Sequence, residues 1–208
     1  MKDGSKPYRM IVRHPGTKKN LIMLKTSILS FVIIITIGLT YGLIYYVGMQ
    51  GFLFAWILNL LLMMCVFKFT EALKSQFKST YYDEKKWERK GKIYEFLGIN
   101  FFRKLLVWIG WEKLNKKSNP IEKNTKSLIH LQYRTKQSEL GHIIIMVIVL
   151  GFSVFVTFKF GIRESLWLLT LNILLNLYPI FLQRYNRPRL ERAIKLSKHR
   201  EGRLHNNG

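Results

Sequence analysis

From Thr26 to Phe67 the chain runs for 42 residues without one Asp, Glu, Lys or Arg. No soluble globular domain is built on such a run, whereas a bilayer core takes roughly 20 apolar residues per helix and so accommodates two here. Leu140–Phe158 and Ser165–Gln183 add 19 uncharged residues each. Gly48-Met-Gln-Gly51 supplies the break in the longest run. The expected spans are Thr26–Val47, Gly51–Thr70, Leu140–Phe158 and Ser165–Gln183, the last two joined by a short turn containing Lys159, Gly161, Arg163 and Glu164. The first run is too long for a signal peptide's apolar region and has another span close behind it, so it reads as a retained membrane helix.

An even number of spans puts both termini on one side, and the charge says which. The chain carries 34 Lys+Arg against 12 Asp+Glu, a formal charge of +22. Residues 1–25 hold 7 of the basic residues, residues 68–139 hold 17 and residues 184–208 hold 8; the two opposite turns hold only Lys159 and Arg163. The positive-inside rule makes the basic face cytoplasmic. A nucleic-acid partner does not fit, because the charge flanks spans instead of gathering in a domain. Anionic lipids of the inner leaflet do fit, at about 1 kcal/mol per well-placed cation.

The fold class that follows is an all-α integral membrane protein with four transmembrane helices, a cytoplasmic interfacial helix and both termini cytoplasmic. Its parts are a basic N-terminal segment (1–25), a helical hairpin (26–70), a cytoplasmic segment (71–138), a second hairpin (139–183) and a basic tail (184–208). Within the cytoplasmic segment, Ile93–Trp111 is apolar and aromatic but carries Glu95, Arg103 and Lys104. Burying three charges costs several kcal/mol, so an interfacial helix fits better than a span. Residues 112–128 read as an exposed connector turning at Asn119-Pro120, and 189–200 as a basic surface helix with Leu190 and Ile194 on one face.

Polar residues that bear on chemistry collect where the spans meet the cytoplasm. Glu139 and His142 stand at i, i+3 in the first turn of the third span, close enough to interact. A carboxylate beside an imidazole fixes its tautomer and raises its basicity, as a general base requires; the competing reading is a carboxylate complementing the helix N-terminus. Arg184-Tyr185-Asn186-Arg187-Pro188-Arg189 follows the fourth span. Its arginines suit bidentate phosphate contacts or a plain stop-transfer anchor, and Pro188 predicts that the helix ends there. Asn172 and Asn176, at i, i+4, and Asn59 read as hydrogen-bonding sites between helices. Cys65, the single cysteine, reads as apolar filler. No His-x-x-x-x-Asp pair, nucleotide-binding glycine fingerprint or metal-ligand spacing is present, and no cofactor or metal is expected.

Three stretches resemble one family. Gln183-Arg-Tyr-Asn-Arg-Pro-Arg-Leu190, Thr135-Lys-Gln-Ser-Glu-Leu-Gly-His142 and Glu88-Arg-Lys-Gly91-Lys-Ile-Tyr94 are similar, in order, to motifs of the glycosyl-4,4'-diaponeurosporenoate acyltransferases of staphyloxanthin-type carotenoid biosynthesis. The resemblance covers roughly 88–190 and leaves the first hairpin without a counterpart. It implies a multi-pass bacterial cell-membrane enzyme that transfers a fatty acyl group to a sugar hydroxyl of a glycosylated membrane lipid, with acyl-CoA as co-substrate. On that reading His142 takes the hydroxyl proton, oriented by Glu139. Arg184, Arg187 and Arg189 hold the donor's phosphates, Tyr185 or Asn186 serves the oxyanion, and Glu88 and Tyr94 join the site. The rival class is a non-catalytic scaffold or accessory subunit of a lipid-modifying complex. A transporter is weaker, with four spans, no mid-membrane charge and no inverted repeat. No motif fixes an oligomeric state.

Overall fold

A computed structural model describes residues 15–73, 75–110 and 124–206, and their regular structure is entirely helical. Helix α1 (Pro15–Val47) and α2 (Gly51–Leu73) form the first hairpin. Gly48 and Gly51 take φ values of 80° and 77° in the turn between them, a conformation that glycine adopts without a Cβ penalty. Two 3₁₀ turns follow, Thr80–Tyr82 and Lys86–Gly91, and lead into α3 (Lys92–Phe96) and α4 (Ile99–Trp108). Helix α5 (Thr125–Phe160) turns at Gly161 into α6 (Ile162–Asn172), which continues through a π-helical turn (Ile173–Leu177) into α7 (Tyr178–Asn206). Among the described residues four helical stretches are long and apolar enough to cross a membrane: Asn20–Val47, Gly51–Leu73, Thr125–Phe160 and Ile162–Arg203.

The core follows from helical spacing. Phe54, Ala55, Leu58, Leu62 and Val66 make one buried stripe along α2, facing Ile145, Val149 and Val156 of α5 and Leu168 and Leu171 of α6. Helix α1 packs along α2 and adds only Leu43 to that buried set. A smaller cluster joins Tyr94 of α3, Ile99 and Phe102 of α4 and Tyr185 of α7, so the segment after α2 folds back onto the last helix.

Several boundaries differ from those expected, beginning with α1, which starts at Pro15 and not Thr26. Helices α5 and α7 run well past the uncharged stretches, because charge marks where a membrane ends and not where helical hydrogen bonding ends. Asn124 caps α5 by accepting from the Ser127 N–H at 2.7 Å, which puts the last residues of the expected connector inside a helix; 112–123 and Trp111 lie outside the described residues. Pro188 does not end the last helix. A proline inside a helix costs ~3 kcal/mol, and packing on both sides offsets it: Arg184 and Arg187 are anchored before it, while Leu190 and Ile194 are buried after it. Farther along, Thr125 Oγ1 donates to Ser197 Oγ at 2.8 Å and the Thr125 N–H to Glu201 at 3.2 Å. The basic stretch after 189 is therefore one arm of a hairpin with α5, not a separate surface helix. Finally, Gly98, at φ 83°, divides the expected 93–111 helix into α3 and α4.

Candidate active site

Where α5 and α7 leave the core, four charged side chains from three segments close on one another. Glu139 of α5 is fully buried and ion-paired with Arg184 at 3.0 Å and with Arg187, and the Tyr81 hydroxyl donates to it at 3.0 Å. Arg184 also reaches Glu88, Nε to Oε1 at 2.5 Å, so one guanidinium bridges two carboxylates. Glu88 additionally accepts from the Tyr94 hydroxyl at 2.5 Å and from the Lys85 N–H at 2.6 Å. Each guanidinium also donates to a backbone carbonyl, Arg184 to Tyr81 at 3.3 Å and Arg187 to Tyr82 at 3.1 Å. Two cations balance two anions, as buried ion pairs must to offset desolvation. One N–H, Arg187 Nε, is buried without a partner among the described residues.

The titration of the loop residues follows. Burial alone would raise the Glu88 carboxyl, but hydrogen bonds from Arg184, Lys85 and Tyr94 hold it below the usual carboxylate range. Burial, then the charge of Glu139, pushes the Tyr81 phenol up to about 12. Tyr94 is raised by burial and by Glu88 in the same way. These phenols are hydrogen-bond donors to carboxylates, not bases.

The turn that carries Glu88 is held in an uncommon backbone. Arg89, Lys90 and Gly91 all have positive φ, 48°, 56° and 88°. The Lys90 N–H donates to Glu84 at 2.9 Å. A Cβ on Gly91 would stand 3.1 Å from the Tyr185 carbonyl oxygen. Glycine in Glu88-Arg-Lys-Gly91 is thus required twice, by its dihedral and by the approach of the loop to α7.

His142 is not bonded into this cluster. Its Nδ1 lies 3.3 Å from Asn176 Oδ1 and makes no hydrogen bond or ion pair with Glu139. The expected Glu139–His142 pairing is therefore not formed, because two arginines and a phenol already occupy the carboxylate. Behind the imidazole stands a chain of amides. Asn59 Nδ2 donates to the Ala55 carbonyl at 2.8 Å and Asn172 Nδ2 to the Met146 carbonyl at 3.1 Å; Asn176 Nδ2 donates to both Asn59 Oδ1 and Asn172 Oδ1, at 2.8 and 2.9 Å. Backbone carbonyls only accept, so the direction of every amide is set, and Asn176 is left presenting its oxygen to the histidine. Asn172 and Asn176 do bond neighbouring helices, as their spacing implied, and the π-helical turn contains Asn176; such turns often occur at functional sites.

The remaining expected residues divide by exposure. Arg184 and Arg187 are 8% and 2% exposed and are turned towards Glu88 and Glu139. The Tyr185 hydroxyl donates to Glu95 at 3.1 Å, and Arg189 pairs with the same carboxylate at 3.1 Å while stacking 3.7 Å over the Tyr185 ring. Asn186 is half-buried on the same turn. Sequence reasoning missed Tyr81, Lys85 and Trp87, which lie outside the three motifs. They join Tyr94, Phe181 and Arg184 around a cleft of about 310 Å³. Among the described residues no three His, Cys, Asp or Glu side chains gather as metal ligands would.

Residues 78–196, more than half of the chain, match the family model for glycosyl-4,4'-diaponeurosporenoate acyltransferase. The chain belongs to that family. The match takes in the loop of two 3₁₀ turns over 80–91 (the 80s loop), α3 to α6 and α7 as far as Leu196, and so contains the whole cluster, the cleft and His142; α1 and α2 lie outside it. Comparison with curated proteins and with solved structures gave no significant match. The acyltransferase family thus maps onto the part of the molecule where polar side chains are organised, and Glu88, Tyr94, Glu139, His142, Arg184 and Arg187 all fall within it.

Proposed function

We propose that this chain transfers a fatty acyl group from an acyl-CoA thioester to a sugar hydroxyl of a glycosylated carotenoid-type membrane lipid, with His142 as general base. The observation that carries the reading is the amide chain behind the imidazole. Asn176 offers an oxygen, so Nδ1 holds the ring proton and Nε2 the lone pair. His142 is only partly buried.

In the step proposed, Nε2 takes the proton of the sugar hydroxyl as its oxygen attacks the thioester carbon. The new C–O bond forms, the C–S bond breaks, and the proton passes to the leaving thiolate. Asn176 positions the ring, a part first assigned to Glu139. Glu139, Glu88, Arg184 and Arg187 hold the 80s loop against α5 and α7. Asn186 is the amide left to meet the oxyanion, and Lys86, Arg89 and Lys90 are exposed cations able to meet a donor's phosphates. The acceptor's apolar tail lies among the spans in the cell membrane. The basic face is cytoplasmic, supported by the split of Lys and Arg between the two ends of the spans. Helices α3 and α4 rest in the interface, with Phe96, Phe101 and Trp108 outward at 89%, 73% and 84% exposure.

The test is release of free thiol from acyl-CoA by purified protein, dependent on added glycolipid. His142→Ala is expected to lower kcat by about 10²-fold or more, with Asn176→Leu falling between it and the parent. A His142→Ala rate within about twofold of the parent contradicts the general base. No turnover by the parent chain with any glycolipid favours the scaffold.

A further inference from the structure

We infer that the cleft between the 80s loop and α7 is the subsite for the neutral sugar ring of the acceptor, with Trp87 as its stacking face. The inference rests on the acyl-transfer reading for the identity of the acceptor, but the cleft itself argues for the ligand.

Size comes first. At about 310 Å³ the cleft lies at the small end of ligand pockets, roughly 300–1,000 Å³, and has room for one ring. Charge comes next. Of the basic groups on its wall, Arg184 is neutralised by Glu88 and Glu139, which leaves Lys85 alone, and Lys85 already donates to the Thr80 carbonyl at 2.6 Å. That is poor provision for a diphosphate.

Hydrogen-bond polarity then favours a polyol. Tyr81, 43% exposed, gives its hydroxyl proton to buried Glu139 and so can only accept from a ligand, while Tyr94, at 1% exposure with its hydroxyl on Glu88, backs the cleft from within. Lys85 Nζ keeps protons to give. Sugar hydroxyls both donate and accept, and meet both Tyr81 and Lys85. The wall is otherwise aromatic: Trp87 is 60% exposed and stands edge-on to Tyr94 at 6.3 Å, and Tyr94 tilts against Phe181 at 5.4 Å. An exposed indole over a small cleft is a platform for the C–H face of a pyranose. Phe181 and Ile180 belong to the apolar part of α7, so a lipid tail leaves the cleft towards the spans. Ile180 is one helical turn along from Asn176, the partner of His142.

The experiment has two arms on the full-length protein in a detergent without sugar. In steady-state kinetics, Trp87→Ala is expected to raise the KM for the glycolipid about tenfold, leave the KM for acyl-CoA unchanged and be largely rescued by Trp87→Phe. In the second arm, octyl glucoside is titrated against an octyl polyethylene glycol ether by saturation-transfer NMR, with sugar-proton contacts expected in the parent and lost in Trp87→Ala. A raised KM for acyl-CoA alone, or no change in either KM, overturns the sugar subsite while leaving acyl transfer intact. Trp87-dependent glucoside contacts in a protein without acyl transfer would keep the subsite and remove the enzyme reading.

Discussion

Glu88 is held by three donors from three places in the chain: a guanidinium on α7, a phenol on α3 and the Lys85 N–H. Its carboxyl titrates below the ordinary 4.5, so its contribution to stability is complete above pH 4.5 and is lost as the pH falls below that. Tyr81 has the opposite sign. Its acid form is favoured in the folded state, so its contribution holds up to its ordinary pKa of 10.0 and is lost between there and about 12. Thermal unfolding in detergent across pH should therefore show an acid limb that Glu88→Gln flattens and an alkaline limb that Tyr81→Phe flattens. Retention of the acid limb in Glu88→Gln would mean that the carboxylate is not what the loop depends on. These residues also show what sequence can and cannot give. Glu139, Arg184 and Arg187 stand out in their motifs, but which carboxylate meets which arginine depends on a loop some 50 residues upstream. The spacing of Glu139 and His142 suggested a pair; two closer cations and a phenol took the carboxylate instead.

Among the elements, the uncharged runs located all four long helices, and Gly48, Gly51 and Gly161 located the turns, because a break in hydropathy and a positive φ are both written locally. The extensions of α5 and α7 were not legible. They rest on contacts between distant residues, such as Thr125 with Ser197, and those contacts also carry α7 through Pro188. The turn at Gly91 is intermediate: its glycine was visible in a motif, but the reason for it, the Tyr185 carbonyl 3.1 Å from a Cβ, appears only in three dimensions. Gly91→Ala should cost more than the ~1–2 kcal/mol of a left-handed alanine alone. Gly48→Ala, at φ 80° with open space around it, supplies that smaller value for comparison. Equal losses of Tm in the two variants would show that the loop does not pack on α7 as described.

At the scale of the whole molecule, the first hairpin lies outside the family match and the charged cluster, the cleft and His142 lie within it, while Asn59 of α2 joins the amide chain from outside. The charge asymmetry from which we infer the orientation spans both parts. In a Cys65→Ser background, a cysteine at Arg163 should react with a membrane-impermeant thiol reagent added to intact cells, and one at Lys90 only after the cells are opened; the reverse pattern would invert the assignment of sides. Folding, cluster and cleft together make one claim, that a sugar hydroxyl is acylated beside His142. Its most direct test is untargeted lipid mass spectrometry of cells that contain a glycolipid acceptor and express the parent chain or His142→Ala at matched levels. The account predicts a lipid that gains one fatty-acyl mass with the parent and not with the variant. The same acylated lipid at the same abundance in both would contradict it.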